Sequence, residues 1–582
     1  MKKESDIAII GIGFRLPNAD NLNELENALI NKQCCIGEAS EDRRRLSDFC
    51  QKALGYGEGQ YVNGSFLEDI TLFDYELFGI SPLEATLIDI NQRLFLETAV
   101  ESIEDAGYGN ERLKGTKTGV YYVGSGKLDY FEIIKRNNPK LESIAEMGNL
   151  PAFAPGRLAF RYDLKGPAVF INSLCSSSLV AMHTACLAIN SSECDMAIVG
   201  GSRIEILPTR KEAVGIESKD SRVRAFSNNA DGTVGGEGSI TVFLKKLSKA
   251  QTDGDNIYAV IKGGAVNQDG RCSSLTAPNP LAQAEVIKEA WISSDINPLA
   301  ISYIEAHGTG TKLGDSIEIA GITEAYAEYE YKKQFCYIGS VKTNYGHLDS
   351  ISGLLGVLKL ILTVENKKIY PQLYFDVPNR FIDFDNSPVQ VCTRLIDLGA
   401  AANPITCGVS SFGFTGTNCH MVIQEYIDDD KVYESSEEIS NKNRHFMCLS
   451  ARSYDRLLLL VRQYKEMLKD NKDISIERLC HSANIRNACY EERIIFTGSS
   501  IKELHDDIDN FLSENCIKSY MKKDFFLNNF DNSISDILLR YIDGEDINFK
   551  KYYRDKKCEF MSVPVYPFKR RDLWINTLVT HQ

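Results

Sequence analysis

The sequence contains no C-x-x-C pair, no apolar run long enough to cross a bilayer, and no basic stripe interleaved with aromatics. Each absence removes a class of function. Sixteen cysteines scattered over 582 residues do not form a disulfide framework: the adjacent Cys34 and Cys35 could not easily bridge to each other, and no Cys/His cluster has zinc-ligand spacing. Reduced thiols in a cytoplasm are the expectation. The most apolar later stretch, residues 353–364, is interrupted by Lys359 and is too short to span a membrane. Glu4, Ser5 and Asp6 follow the N-terminal Met1-Lys2-Lys3, so the short apolar run after them reads as a first strand rather than a signal peptide. A net charge of −15 argues against a nucleic-acid backbone as partner.

Two phosphate-binding signatures fail on inspection. Residues 6–13 (DIAIIGIG) end in G-x-G, but the third glycine position holds Leu16, followed by Pro17, which leaves a tight strand exit as the reading. Gly235-Gly236-Glu237-Gly238 leads into a strand rather than a helix and lacks the P-loop lysine, so a hairpin or close backbone approach is expected there.

What is present is the composition of an ordinary globular protein, 43% hydrophobic and 25% charged, in a chain long enough for two or more domains. Residues 168–171 form a short apolar run that reads as a buried strand. After it Leu179, Val180, His183, Cys186 and Ile189 recur at helical spacing. Cys175 therefore falls where a strand hands over to a helix, with Ser176 and Ser177 as good helix-start residues. The helix dipole there predicts a lowered thiol pKa and a nucleophilic thiolate, against the alternative of a small buried cysteine under a helix.

The same pattern occurs twice more. Residues 301–305 alternate as a strand with His307 just past its end, and Gly314 and Asp315 open a helix. Residues 337–341 read as a strand, 342–347 as a turn ending in His347, and 348 onward as a helix. In α/β sheets reactive groups gather at the carboxyl ends of strands, so Cys175, His307 and His347 are expected in one pocket. Residues 408–420 (GVSSFGFTGTNCH) are glycine-rich, and their backbone N–H groups could serve as an oxyanion hole, the alternative being a tight turn between two strands. Residues 425–443 are dominated by charge, amide and serine and read as a linker. Beyond them the pattern predicts a small α/β unit with His481 and His505 at its surface, then an aromatic, proline-spaced tail (residues 563–574) suited to lying along a groove.

Cys175 followed by three serines, EAHGTGT around His307, GSVKTNYGH ending in His347, and GFTGTN at residues 413–418 together resemble the motif set of β-ketoacyl synthases. The resemblance is to the ketosynthase domains of modular polyketide synthases, over residues 5–425, with residues 445–574 similar to the flanking linker subdomain and wrap-back tail that follow them. No acyltransferase follows the subdomain here, which resembles synthases whose acyltransferase is supplied in trans.

The resemblance implies a thiolase-like α/β fold of two similar halves layered αβαβα, a small α/β flanking subdomain and an extended C-terminal strap. It divides the chain into a ketosynthase domain (1–425), a linker (426–444), a flanking subdomain (445–556) and a tail (557–582). It further implies a cytoplasmic homodimer working with acyl carrier proteins, with no cofactor beyond the carrier's phosphopantetheine arm. Cys175 would take the acyl chain, and His307 and His347 would assist decarboxylation of a malonyl thioester. Backbone N–H groups of Cys175 and Phe414 would form the oxyanion hole, Lys342 and Glu318 a supporting ion pair, and Thr309 and Thr311 contacts to the arm. Asn172-Ser173-Leu174 replaces the family's usual Asp-Thr-Ala, and Ser316 stands where proline is common. A non-elongating ketosynthase that only passes or gates acyl chains, a non-catalytic carrier-protein scaffold and a thiolase are the competing readings.

Overall fold

The structure, a computed structural model, describes residues 3–57, 61–208, 216–399, 403–427, 444–470, 474–514, 526–527, 529–553 and 561–575. Its centre is an eleven-stranded sheet. The strands are β1 (Ile7–Arg15), β2 (Thr118–Val123), β3 (Ala168–Ile171), β4 (Met196–Arg203), β5 (Gly238–Lys246), β6 (Ala259–Gln268), β7 (Ile301–Glu305), β8 (Cys336–Gly339), β9 (Val389–Val391), β10 (Thr406–Phe412) and β11 (Thr417–Gln424). They lie in the order β9-β8-β7-β10-β11-β6-β1-β5-β4-β2-β3.

The duplication is legible in that order. From the centre outward, β1-β5-β4-β2-β3 and β6-β11-β10-β7-β8 show the same alternation: two antiparallel pairings followed by two parallel ones. The halves meet where Ile7, Ala8 and Ile9 pair antiparallel with Ile261, Val260 and Ala259. β3 and β8 are thus equivalent, and so are the helices that follow them, α1 (Ser177–Asn190) and α2 (Ser352–Asn366). Both are largely buried and share one apolar cluster with strands of both halves, the central helical layer of a thiolase-like α/β fold.

Two sequence expectations about the sheet are corrected. Gly11 and Gly13 do not mark a strand exit; they sit inside β1. A Cβ at Gly11 would lie 2.2 Å from the Ser102 carbonyl oxygen, and one at Gly13 would lie 2.1 Å from that of Thr98. Glycine is needed because the helix Ile90–Asp105 packs directly on the strand. The run at 168–171 is a strand but not a buried one: β3 is the edge of the sheet, pairs only with β2, and leaves Val169 38% exposed.

The segment from His445 forms its own antiparallel pair, His445–Ala451 with Glu492–Gly498, covered by helices Tyr454–Asp470, Ile476–Arg486 and Ile501–Glu514. It is held against the larger unit by buried charge. Arg456 forks onto Asp74 (Nη2 to Oδ1, 2.8 Å), Lys550 reaches Asp255 at 2.5 Å, and Arg486 donates to the Tyr258 hydroxyl at 2.7 Å. His481 is buried rather than exposed, its ring edge-on to Tyr553, because its helix packs against the later helix Phe549–Tyr553. His505 is partly exposed beside Asp509.

The final segment crosses from one unit to the other. Val563 joins the core of the smaller unit, Arg571 and Asp572 pair with Phe73 and Leu72, and Trp574 is buried against Phe49 and Tyr130. The expected linker falls almost wholly on residues 428–443, outside the described residues, as do 554–560 and 576–582 of the expected flanking and tail segments.

Candidate active site

Cys175 occupies a single tight turn, Leu174–Ser176, between β3 and α1. The serines do not cap the helix with their side chains; they hold this turn. Ser173 N–H donates to Ser177 Oγ (2.9 Å), Ser177 Oγ donates to the Leu174 carbonyl (2.6 Å), and Ser176 Oγ to that of Ser173 (3.0 Å). Leu174 is in the left-handed region, φ +58°, a conformation that costs a side-chain-bearing residue about 1–2 kcal/mol. The glycine-rich turn after β10 presses on it: a Cβ at Gly413 would lie 2.6 Å from the Ser173 carbonyl oxygen. Next to that glycine, the Phe414 N–H points at the Cys175 sulfur while its ring is 41% exposed.

His307 lies just beyond β7, its turn fixed by Glu318 on the helix Lys312–Ala325. One carboxylate oxygen accepts from His307 N (2.7 Å), the other from Gly308 N (2.8 Å). His347 lies beyond β8, and the glycine run 235–238 holds it as the close approach expected: His347 N donates to the Val234 carbonyl (2.7 Å), and Gly236 N to that of His347 (3.0 Å). A Cβ at Gly236 would lie 2.1 Å from the Tyr345 carbonyl oxygen.

The hydrogen bonds to the rings decide their tautomers. Phe412 N–H donates to His307 Nδ1 (3.4 Å), and Asp349 N–H to His347 Nδ1 (3.1 Å). A backbone N–H only donates, so both Nδ1 atoms are acceptors and both protons sit on Nε2. Ser352 Oγ, 2.7 Å from His347 Nδ1, is then a second donor to that atom.

Burial, then the Lys342 ammonium, pushes both imidazoles well below their ordinary value, and His347 adds to the effect on His307; both rings are neutral near pH 7. The thiol behaves contrary to expectation. Burial, followed by the Asp349 carboxylate 3.8 Å from Sγ, pushes Cys175 up to about 12 and overrides Lys342 and the Phe414 N–H. In the free protein it is a thiol, not a thiolate.

Lys342 and Glu318 are both buried and feel each other's charge, but no direct ion pair joins them: the Glu318 oxygens are occupied by the backbone of His307 and Gly308. Burial raises Glu318 to about 7 and pulls Lys342 down. Thr309 and Thr311 are partly exposed on the same loop, their hydroxyls 3.3 Å apart. Sequence reasoning missed Asp349, Ser352 and Asp315. The Asp315 carboxylate, raised to about 8 by burial, ties together two loops by accepting from Phe226 N (2.7 Å) and Gly310 N (3.2 Å). No group of side chains among the described residues has the makings of a metal site, and no helix among them is long and apolar enough to cross a membrane.

The arrangement offers a nucleophile, two imidazole N–H donors and backbone donors from one loop, equipment for thioester exchange and for holding developing negative charge on oxygen. Comparison with known proteins gives the same direction. Residues 4–250 match the N-terminal domain of β-ketoacyl synthases, 258–376 the C-terminal domain, and 378–493 the ketoacyl-synthetase C-terminal extension. Polyketide synthase PksN of Bacillus subtilis (strain 168) is 34% identical over 98% of the chain, and polyketide synthase PksM of the same organism 35% over 98%. The chain spans only 11% and 14% of their lengths. Among solved structures, the ketosynthase from module 6 of the B. subtilis bacillaene synthase is 31% identical with a TM-score of 0.81, covering 98% of this chain and 100% of that one. Ketosynthase twelve of the Bacillus amyloliquefaciens bacillaene synthase is 30% identical with a TM-score of 0.84, at the same coverage.

Proposed function

The chain belongs to the β-ketoacyl synthases, as a ketosynthase of modular polyketide synthases, and on that premise we propose that it extends polyketide chains by decarboxylative condensation. Cys175 accepts an acyl chain from the phosphopantetheine arm of an acyl carrier protein. The thioester oxyanion formed on attack lies against the N–H groups of Cys175 and Phe414. Malonyl carrier protein then enters, with Thr309 and Thr311 contacting its arm. As CO₂ leaves, the charge on the thioester oxygen is held by the Nε2–H groups of His307 and His347. The carbanion attacks the acyl-cysteine carbonyl, and collapse of the tetrahedral adduct expels the Cys175 sulfur and leaves a β-ketoacyl thioester on the carrier.

The observation that carries this reading is the tautomer pair. With each Nδ1 filled by a backbone donor, both rings can only donate through Nε2, which suits an enolate oxygen; burial, and after it the nearby Lys342, keeps them unprotonated. Glu318 serves by fixing the His307 turn. The exposed edge strand β3, with exposed Phe160, Met147 and Phe153 on helices nearby in sequence, supports a homodimer through that face. The division into domains at 1–425 and 445–556, with linker and tail, is part of the same proposal.

The test is CO₂ release from malonyl carrier protein together with intact mass of the protein after exposure to acyl carrier protein. An acyl adduct that disappears in Cys175→Ala, with CO₂ release, is expected; an adduct without CO₂ release would make the protein an acyl-passing ketosynthase instead.

A further inference from the structure

The proposed chemistry uses Cys175 as a nucleophile, yet its sulfur is a protonated thiol in a partly buried setting. Something must take that proton when the sulfur attacks. The turn that follows His347 supplies a group for it. Asp349 opens the turn Asp349–Ile351 in the left-handed conformation, φ +50°, and that backbone sends its side chain toward the nucleophile turn, placing Oδ1 3.8 Å from Sγ. Among the described residues this sulfur is the only hydrogen-bond partner of the Asp349 carboxylate. Leu174, immediately before Cys175, is also held left-handed. Strain on both sides of one contact is the pattern found where a geometry serves function.

We infer that Asp349 is the proton acceptor for the Cys175 thiol during acyl loading, a role that rests on the ketosynthase reading above. As Sγ bonds to the carbonyl carbon of the incoming thioester, its proton passes to Asp349 Oδ1 and the carbonyl electron pair moves onto oxygen. When the tetrahedral adduct collapses, the bond to the phosphopantetheine sulfur breaks and that departing thiolate takes the proton from Asp349. One S–C bond forms, one breaks, and no proton is gained or lost overall. The base need only act as the S–C bond forms, when the thiol proton becomes acidic. The other charged or titratable groups at the sulfur do not compete. Lys342 acts on the sulfur through its charge, which favours the thiolate rather than removing the proton, and His307 and His347 have Nδ1 occupied and Nε2 already protonated.

The experiment is single-turnover acylation of native protein, Asp349→Asn and Asp349→Glu by a panel of acyl-N-acetylcysteamine thioesters (acetyl, butyryl, hexanoyl and 3-hydroxybutyryl), read by intact mass between about pH 6 and 9. Iodoacetamide alkylation of Cys175 is run in parallel as a measure of fold and thiol access. With the thiol protonated throughout and its proton handed to Asp349 in each turnover, the native acylation rate is expected to be flat with pH. D349N should be at least tenfold slower near pH 7 and rise about tenfold per pH unit, because only preformed thiolate now reacts. It should alkylate as fast as native or faster, since a neighbouring negative charge is gone; D349E should recover part of the rate. A D349N that acylates as fast as native, or a native rate already rising tenfold per unit, overturns the role of Asp349 while leaving the ketosynthase reading intact. No adduct on native protein from any thioester overturns the ketosynthase reading itself, and the proton transfer with it.

Discussion

The rings of His307 and His347 meet edge to face, centroids 5.6 Å apart and planes at 83°, and in each ring Nδ1 accepts from a backbone N–H, which leaves the proton on Nε2. On the proposed mechanism, removing either ring takes away one donor to the enolate oxygen. His307→Ala and His347→Ala are each expected to lower CO₂ release from malonyl carrier protein by about 10²–10³-fold, the usual cost of one oxyanion donor. Acyl loading of Cys175 should survive both. Because burial and Lys342 keep both rings neutral well below the ordinary imidazole range, CO₂ release should stay flat from about pH 8 down to about pH 6.

Ser352 shapes that pH dependence. Its hydroxyl donates to His347 Nδ1, which favours the neutral ring. Ser352→Ala removes one of two donors, so the His347 pKa rises and the acid limb of the CO₂-release profile moves to higher pH. The maximal rate should fall several-fold with KM for malonyl carrier protein unchanged. An unshifted profile would make the serine a packing residue.

Glu318 links stability to pH. Burial raises its carboxyl from 4.5 to about 7, so between those values the folded state holds a proton that the unfolded state has lost. Native stability relative to Glu318→Gln is therefore expected to increase as pH falls from about 7 towards 4.5, by up to about 1.4 kcal/mol per pH unit, and to level off below that. Chemical denaturation of both proteins at several pH values measures it.

The fork from Arg456 to Asp74 is buried, so loss of one partner leaves an uncompensated charge. Arg456→Ala should cost about 3 kcal/mol or more, reduced somewhat because Asp74 also accepts from Lys569 N at 2.8 Å. Urea unfolding gives the loss, and limited proteolysis should show the smaller unit released first.

Much of the placement of the candidate site was legible in the chain because Cys175, His307 and His347 each follow the same local pattern, an apolar strand, a turn of small residues and a helix. Cys175, His307 and His347 needed only that periodicity to be placed together, and the duplicated strand order explains why it recurs. What the pattern does not carry is packing between turns. Asp349 reaches Sγ only because the turn after β8 lies against the turn after β3, and no spacing encodes that. The thiol pKa was misjudged for the same reason: a helix N-terminus is visible locally, whereas burial and a carboxylate from another turn are not. Likewise four apolar residues at 168–171 announce a strand but not whether the chain's own helices cover it, and at a sheet edge they do not.

The most direct measurement is the mass of the carrier-protein arm after acyl-loaded native protein is mixed with malonyl carrier protein labelled with ¹³C at the free carboxyl. The account predicts labelled CO₂, an arm bearing the acyl chain lengthened by two carbons as a β-ketoacyl thioester, and Cys175 returned to the free thiol. An arm that keeps its malonyl group while Cys175 stays acylated would contradict it.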